Sequence, residues 1–190
     1  MFTAVRPPPA ALDHLRSALR ALPPGAVERA ASGLRGFRLA PARQWHVTLR
    51  FHGTVEPAPL LRSLERDLPA AGPAPLLRLA GAGTFRGVLW VGVETAAEGD
   101  TRGLRALVRA AGGDPETFRA HLTLARWNGG HPDRRALTAL LSGYAGPWWE
   151  AADVALLRSD PGPEGSVHRE VRAVPVPRRS AGDQGPGGSS

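Results

Sequence analysis

The 190-residue chain has no cysteine. That excludes disulfides and thiolate metal ligands and fits a reducing compartment. Lysine is missing as well: all 24 basic residues are arginine, against 17 acidic ones, giving a formal charge of +7 and a pI of about 11.4. The exclusive use of arginine is read chiefly as codon composition. The basic balance itself favours an anionic partner such as RNA, for which the planar guanidinium is well suited. Long apolar runs are also missing. Nothing approaches the roughly 20 residues of a membrane span, and Met1–Arg6 lacks a signal-peptide core, so a cytoplasmic protein is expected.

What is present is a foldable core. Hydrophobic residues make up 42 % of the chain, which excludes global disorder. One domain is expected over 1–176. From Pro177 the composition turns to Arg, Gly, Ser and Pro, so 177–190 is expected to be a disordered tail.

Phe2–Val5 reads as a strand ended by Pro7-Pro8-Pro9. Leu12, Leu15, Leu19 and Leu22 then fall at helical spacing, stopped by Pro23-Pro24. Gly36–Ala40 reads as a strand. Pro57 opens a helix with Leu60, Leu61, Leu64 and Leu68 buried. Leu76–Ala80 and Gly87–Glu94 read as strands joined by a connection at 83–87.

The order then restarts. Thr101–Ala111 is predicted helical and ended by Gly112-Gly113. Asn128-Gly129-Gly130 reads as a turn and Pro132–Leu141 as a helix. Trp148–Ser159 and Val167–Val174 close the chain as a strand pair, joined at Asp160–Pro163. This repeat of helix, strand, helix, strand, strand suggests an internal duplication with halves of roughly 1–96 and 97–176.

Each half carries one short motif: His46-Val47-Thr48-Leu49 and His121-Leu122-Thr123-Leu124. On a strand the His and Thr point to one face, and Val47, Leu49, Leu122 and Leu124 to the other. Pairing the two strands about a pseudo-axis gathers two imidazoles and two hydroxyls in one cleft. One imidazole can accept a proton while the other donates, and the threonines can donate to phosphoryl oxygens. Alone, a His-x-Thr strand is ordinary; two copies in matching places point to a site.

Strict alternation sends Arg50 to the face of His46 and Thr48. Arg126, five residues after His121, faces away unless the strand bulges. His52 shares the parity of His46 and would flank the cleft, whereas His14 is expected to be solvated. A zinc site from His46, His52 and His131 lacks compact ligand spacing, so no metal is expected. Trp45, Phe51 and Trp127 border the motifs and are candidates for base stacking.

His46–Gly53, Val88–Val93 and Phe118–Arg126 together make the chain resemble the two-histidine (2H) phosphoesterases, specifically the RNA 2′,3′-cyclic phosphodiesterases, also called 2′-5′ RNA ligases. The resemblance covers about residues 1–175. It implies an α+β, bilobal fold in which two antiparallel sheets line a central cleft with pseudo-two-fold symmetry and helices lie outside. It further implies metal-independent, cofactor-free hydrolysis of RNA or nucleotide 2′,3′-cyclic phosphate ends to 2′-phosphate ends by a monomer. Carried over, His46 is the proton donor and His121 the acceptor. Thr48, Thr123 and Arg126 bind the phosphate, with Arg50 as second choice. The chain departs from the family pattern at Ala120, where Pro is usual, at His52, where Leu is usual, and at His168, where Tyr is usual. A binding module on the same fold, or end joining by the same site, are the competing readings.

Overall fold

The computed structural model describes residues 1–85, 87–162 and 166–179. Arg86 of the 83–87 connection, Pro163 of the closing turn, and 180–190 of the expected tail lie outside the described residues.

The chain begins with β1 (Phe2–Val5) and α1 (Pro9–Arg20), whose Pro9 occupies the first helical turn where its missing N–H costs nothing. Then come α2 (Ala26–Ala30), β2 (Leu34–Arg35), β3 (Arg38–Leu39), a 3₁₀ turn at Ala42–Gln44, and β4 (Val47–Phe51). The middle of the chain forms α3 (Pro57–Asp67), β5 (Leu76–Phe85), β6 (Val88–Thr95) and α4 (Glu98–Ala110). β7 (His121–Arg126), β8 (Gly129–Gly130), α5 (Arg134–Ala139), β9 (Trp149–Glu150), β10 (Asp153–Asp160) and β11 (Val167–Pro175) complete it.

Nine strands form one antiparallel sheet in the order β11-β10-β1-β4-β7-β6-β5-β9, with β3 also on β7. The seam between β4 and β7 is narrow, a single pairing of Val47 with Leu122. It divides the sheet into a four-stranded lobe (β11, β10, β1, β4) and a five-stranded one (β7, β6, β5, β9 and β3), and the motif strands β4 and β7 face each other across it. The lobes are not the sequence halves expected from the repeat. β10 and β11 join β1 and β4, while β5 and β6 from the first half join β7. The chain exchanges strands between lobes, which a linear repeat does not reveal.

Each lobe has its own core on one face of the sheet. Val5, Leu49, Val154 and Leu156 pack with Leu64 of α3 and with Leu104, Leu107 and Val108 of α4. Leu79, Leu89, Val91, Leu122 and Leu124 pack with Leu15 of α1 and Leu137 of α5. The motif leucines are therefore the back-face residues that alternation requires. On the opposite face Phe2, Ala4, Ala155 and Leu157 form a small separate cluster.

Several boundaries differ from the sequence reading. Gly83–Phe85 continue β5 rather than forming the connection. Gly129–Gly130 pair with Leu34–Arg35 as a second, two-stranded sheet, so the expected turn is a bridge. Pro177 accepts a hydrogen bond from Ala74 and Arg179 forms an ion pair with buried Asp100, so 177–179 belong to the folded domain. No helix among the described residues is long and apolar enough to cross a membrane.

Candidate active site

The two motif histidines are held in the same way. His46 Nδ1–H donates to the carbonyl of Gln44 at 2.6 Å, and His121 Nδ1–H donates to the carbonyl of Arg119 at 2.7 Å. Each bond fixes the tautomer and leaves Nε2 to exchange protons with a ligand. Thr48 and Thr123 are half-buried on the same face, and among the described residues neither hydroxyl is engaged in a hydrogen bond. Both remain open to a phosphoryl oxygen.

A bulge falls at the last leucine of each motif, Leu49 and Leu124, and the two bulges decide which charges reach the site. In β4, Ala4 pairs with Thr48 but Thr3 pairs with Arg50, so Leu49 is the extra residue. Directly paired residues share a face. Arg50 therefore lies with Thr3 on the back of the sheet, and Phe51 joins Phe2 on the face of the motif histidines. The guanidinium of Arg50 accordingly lies near Gly112, at the end of α4, and not beside His46. This corrects the placement of Arg50 by strict alternation.

In β7 the same device works the other way. Trp90 pairs with Thr123 and Val88 with Arg126, so the register slips once between them. Arg126 is thus turned onto the face of His121 and Thr123, as the bulge condition required. Its positive charge lowers the pKa of His46, His121 and His168, which sets it among all three imidazoles.

Those imidazoles all titrate below the ordinary value of 6.5. His46 is lowered to about 4, first by burial, then by His168, Arg126 and His121, against the opposing effect of the Gln44 carbonyl. His121 is lowered by burial and by Arg126, opposed by its bond to Arg119. His168 is lowered by burial and by Arg126. Burial and the neighbouring cation thus favour the neutral form of all three imidazoles.

Aromatic rings wall each histidine. The centroids of Phe2 and His168 lie 4.8 and 5.0 Å from that of His46, with His168 edge-on. Phe85 stands edge-on to His121 at 5.1 Å, and Trp90 lies 6.3 Å away. Trp90 covers Gly83: a Cβ there would meet its ring at 2.1 Å, so only glycine fits beneath the indole. The sequence reading misses Phe2, Phe85, Trp90 and His168 as site residues. Alternation along β1, β5, β6 and β11, carried across the strand pairs, places all four on this face once the sheet order is known.

The remaining candidates are dispersed. Phe51 is 70 % exposed, with its ring 5.7 Å from Phe2, at the mouth of the cleft. Trp127 packs against the core of the β5–β7 lobe instead of joining the site. Trp45 is buried in the same core and donates to the Ala40 carbonyl. His52 pairs its Nε2 with the Thr3 hydroxyl at 3.3 Å, on the back of the sheet and away from the cleft. His14 is bonded to Tyr144 at 3.2 Å.

Known proteins share this fold. The model of the 2′-5′ RNA ligase superfamily matches residues 22–163. The fold is similar to that of TT0787 from Thermus thermophilus, with a TM-score of 0.65 and 28 % identity over 94 % of this chain and 98 % of that one. It is also similar to E. coli LigT complexed with NADP+, with a TM-score of 0.63 and 19 % identity over 92 % and 96 % of the two chains. A structure described only as a phosphoesterase gives a TM-score of 0.63 and 20 % identity, covering 93 % of this chain and 97 % of that one. No curated protein sequence matches. The chain belongs to the 2′-5′ RNA ligase superfamily, the two-histidine phosphoesterases.

Proposed function

We propose that this protein hydrolyses the 2′,3′-cyclic phosphodiester ends of RNA or nucleotides to 2′-phosphate ends, without a metal ion. The observation that carries the reading is the matched pair of histidines. Both have Nδ1–H tied to the carbonyl two residues back, both present Nε2, and one arginine lies within electrostatic reach of both.

In this reaction His121 Nε2 takes a proton from water as its oxygen attacks phosphorus. The bond from phosphorus to the 3′ oxygen breaks, and His46 Nε2–H delivers a proton to that oxygen. The products are a free 3′-hydroxyl and a 2′-phosphate. Thr48, Thr123 and Arg126 stabilise the charge that builds on the non-bridging oxygens.

The depressed pKa of His46 is compatible with its role as donor. The substrate's phosphate is an anion, and a negative charge within a few ångströms favours the imidazolium. Binding thus supplies the proton donor with its proton. Phe51, exposed at the cleft mouth, offers a stacking surface for the terminal base. E. coli LigT, which shares the fold, is known in complexes with ATP, 3′-AMP and phosphate, and such ligands suit a nucleotide substrate here.

The test is His46→Ala and His121→Ala against a dinucleotide ending in a 2′,3′-cyclic phosphate, in buffer containing EDTA. Both variants should lose turnover while keeping the wild-type circular dichroism spectrum. Wild-type rates in either folded variant would refute the assignment.

A further inference from the structure

A second arginine shares the catalytic face and has no role in the chemistry above. β3 pairs with β7 so that Arg38 stands directly opposite Arg126 and Leu39 opposite Ala125. Residues in such a pair lie on one face with Cβ atoms about 4.5–5.5 Å apart. Since Arg126 faces the cleft, so does Arg38. The neighbouring Phe37 agrees, because it packs the other way into the core of that lobe. β3 is pinned by the Ala40 N–H, which donates to the Leu124 carbonyl at 2.7 Å, and by the Trp45 indole on the Ala40 carbonyl at 3.0 Å.

Like charges directly opposite each other destabilise a ladder. Among the described residues neither Arg38 nor Arg126 forms an ion pair that would offset this repulsion. An anion between them would. Arg126 already faces the three imidazoles, so the reacting phosphate is its partner. Arg38 stands opposite the last residue of β7, at the far end of that strand from His121, which sets it further out along the cleft.

We propose that Arg38, beside Arg126, forms a second phosphoryl subsite at the outer end of the cleft, and that the protein prefers substrates carrying another phosphate next to the cyclic one. This rests on the cyclic phosphodiesterase reading. The second phosphate belongs either to the internucleotide linkage of an RNA end or to the 5′ position of a single nucleotide. Arginine suits both, because its fork grips two phosphoryl oxygens at once.

The experiment compares kcat/KM for three substrates: a nucleoside 2′,3′-cyclic phosphate, the same nucleotide with a 5′-phosphate, and a dinucleotide with a 2′,3′-cyclic end. Wild-type protein should favour at least one of the last two by about tenfold or more, the size of one good charged contact. The favoured substrate identifies the source of the phosphate. Arg38→Ala should bring that ratio close to one, and Arg38→Lys should leave an intermediate ratio. A wild-type ratio near one, or a ratio unchanged in Arg38→Ala, would overturn the subsite. Calorimetric titration of the matching 2′-phosphate ligands, which do not react, gives the same comparison independently of turnover. Loss of the affinity ratio in Arg38→Ala supports the subsite even if no cyclic phosphate is hydrolysed. That outcome would sink the hydrolytic reading alone. Equal affinity ratios in the two proteins would sink the subsite alone.

Discussion

Phe51 and Arg126 are structural counterparts. Each stands five residues after its motif histidine (51 − 46 and 126 − 121), and each is turned onto the catalytic face by a bulge in its strand. The two lobes thus present matched imidazoles and hydroxyls but place a ring at one equivalent position and a cation at the other. Such a site is symmetric in its proton carriers and unsymmetric in its charge, which suits a substrate whose attacking and leaving oxygens differ.

The pairing makes a direct prediction about the arginines. Arg126→Ala should lower kcat by about 10²–10³, the usual effect of removing one donor to a developing oxyanion. Arg126→Lys should recover only part of this, because a point charge lacks the fork. Arg50→Ala should stay within about threefold of wild type, since Arg50 lies on the back of the sheet. Steady-state kinetics on a cyclic nucleotide decides, and an Arg50→Ala loss as large as that of Arg126→Ala would contradict the register.

Phe51 gives a different signature. Its ring is 70 % exposed, so Phe51→Ala should change Tm by only one or two degrees. Base stacking on an aromatic ring contributes about 1–3 kcal/mol. KM should therefore rise by roughly tenfold while kcat holds. A variant with unchanged KM would remove Phe51 from the binding surface.

The depressed histidines predict both an activity profile and a stability profile. Because the bound anion raises the pKa of His46, the proton donor, the alkaline limb of kcat should lie at higher pH than the alkaline limb of kcat/KM. In the absence of ligand, His46 titrates near 4 when folded and near 6.5 when unfolded. Between those values the unfolded chain binds the extra proton, so stability is full above about 6.5 and is lost as the pH falls towards 4. His46 alone would account for a loss on the order of 3 kcal/mol across that window. His46→Asn should accordingly gain in Tm relative to wild type on going from pH 7 to pH 4. A difference that does not vary with pH would contradict the burial of His46.

Gly83 tests the wall of the other histidine. A methyl group at this position would lie 2.1 Å from the Trp90 ring, so Gly83→Ala must displace the indole that lies beside His121. Overpacking of this kind costs about 1–3 kcal/mol. Tm should fall, tryptophan emission should shift, and kcat should decline with them. Retention of wild-type stability would mean that Trp90 does not rest on Gly83.

Much of this is legible in the sequence, for identifiable reasons. The His-x-Thr strands, the helix after Pro7-Pro8-Pro9, the helix opened by Pro57, and the buried leucine stripes follow from periodicity, which is a local property. Arg126 is recovered from the family resemblance, because alternation alone sends it to the wrong face. Arg50 is misplaced by that same alternation: a bulge is one extra residue and leaves no trace in the hydrophobic pattern. His168 and Trp90 escape because they reach the histidines across strand pairs, and pairing depends on a sheet order that the chain does not state. The exchange of β5 and β6 into the β7 lobe is likewise a property of topology.

The most direct measurement is the identity of the product. A dinucleotide ending in a 2′,3′-cyclic phosphate is incubated with the protein in EDTA and followed by phosphorus NMR. The account predicts conversion to a single 2′-phosphomonoester, with the 3′-hydroxyl released and no reaction with His46→Ala. A 3′-phosphate product, or no conversion by folded wild-type protein, would contradict it.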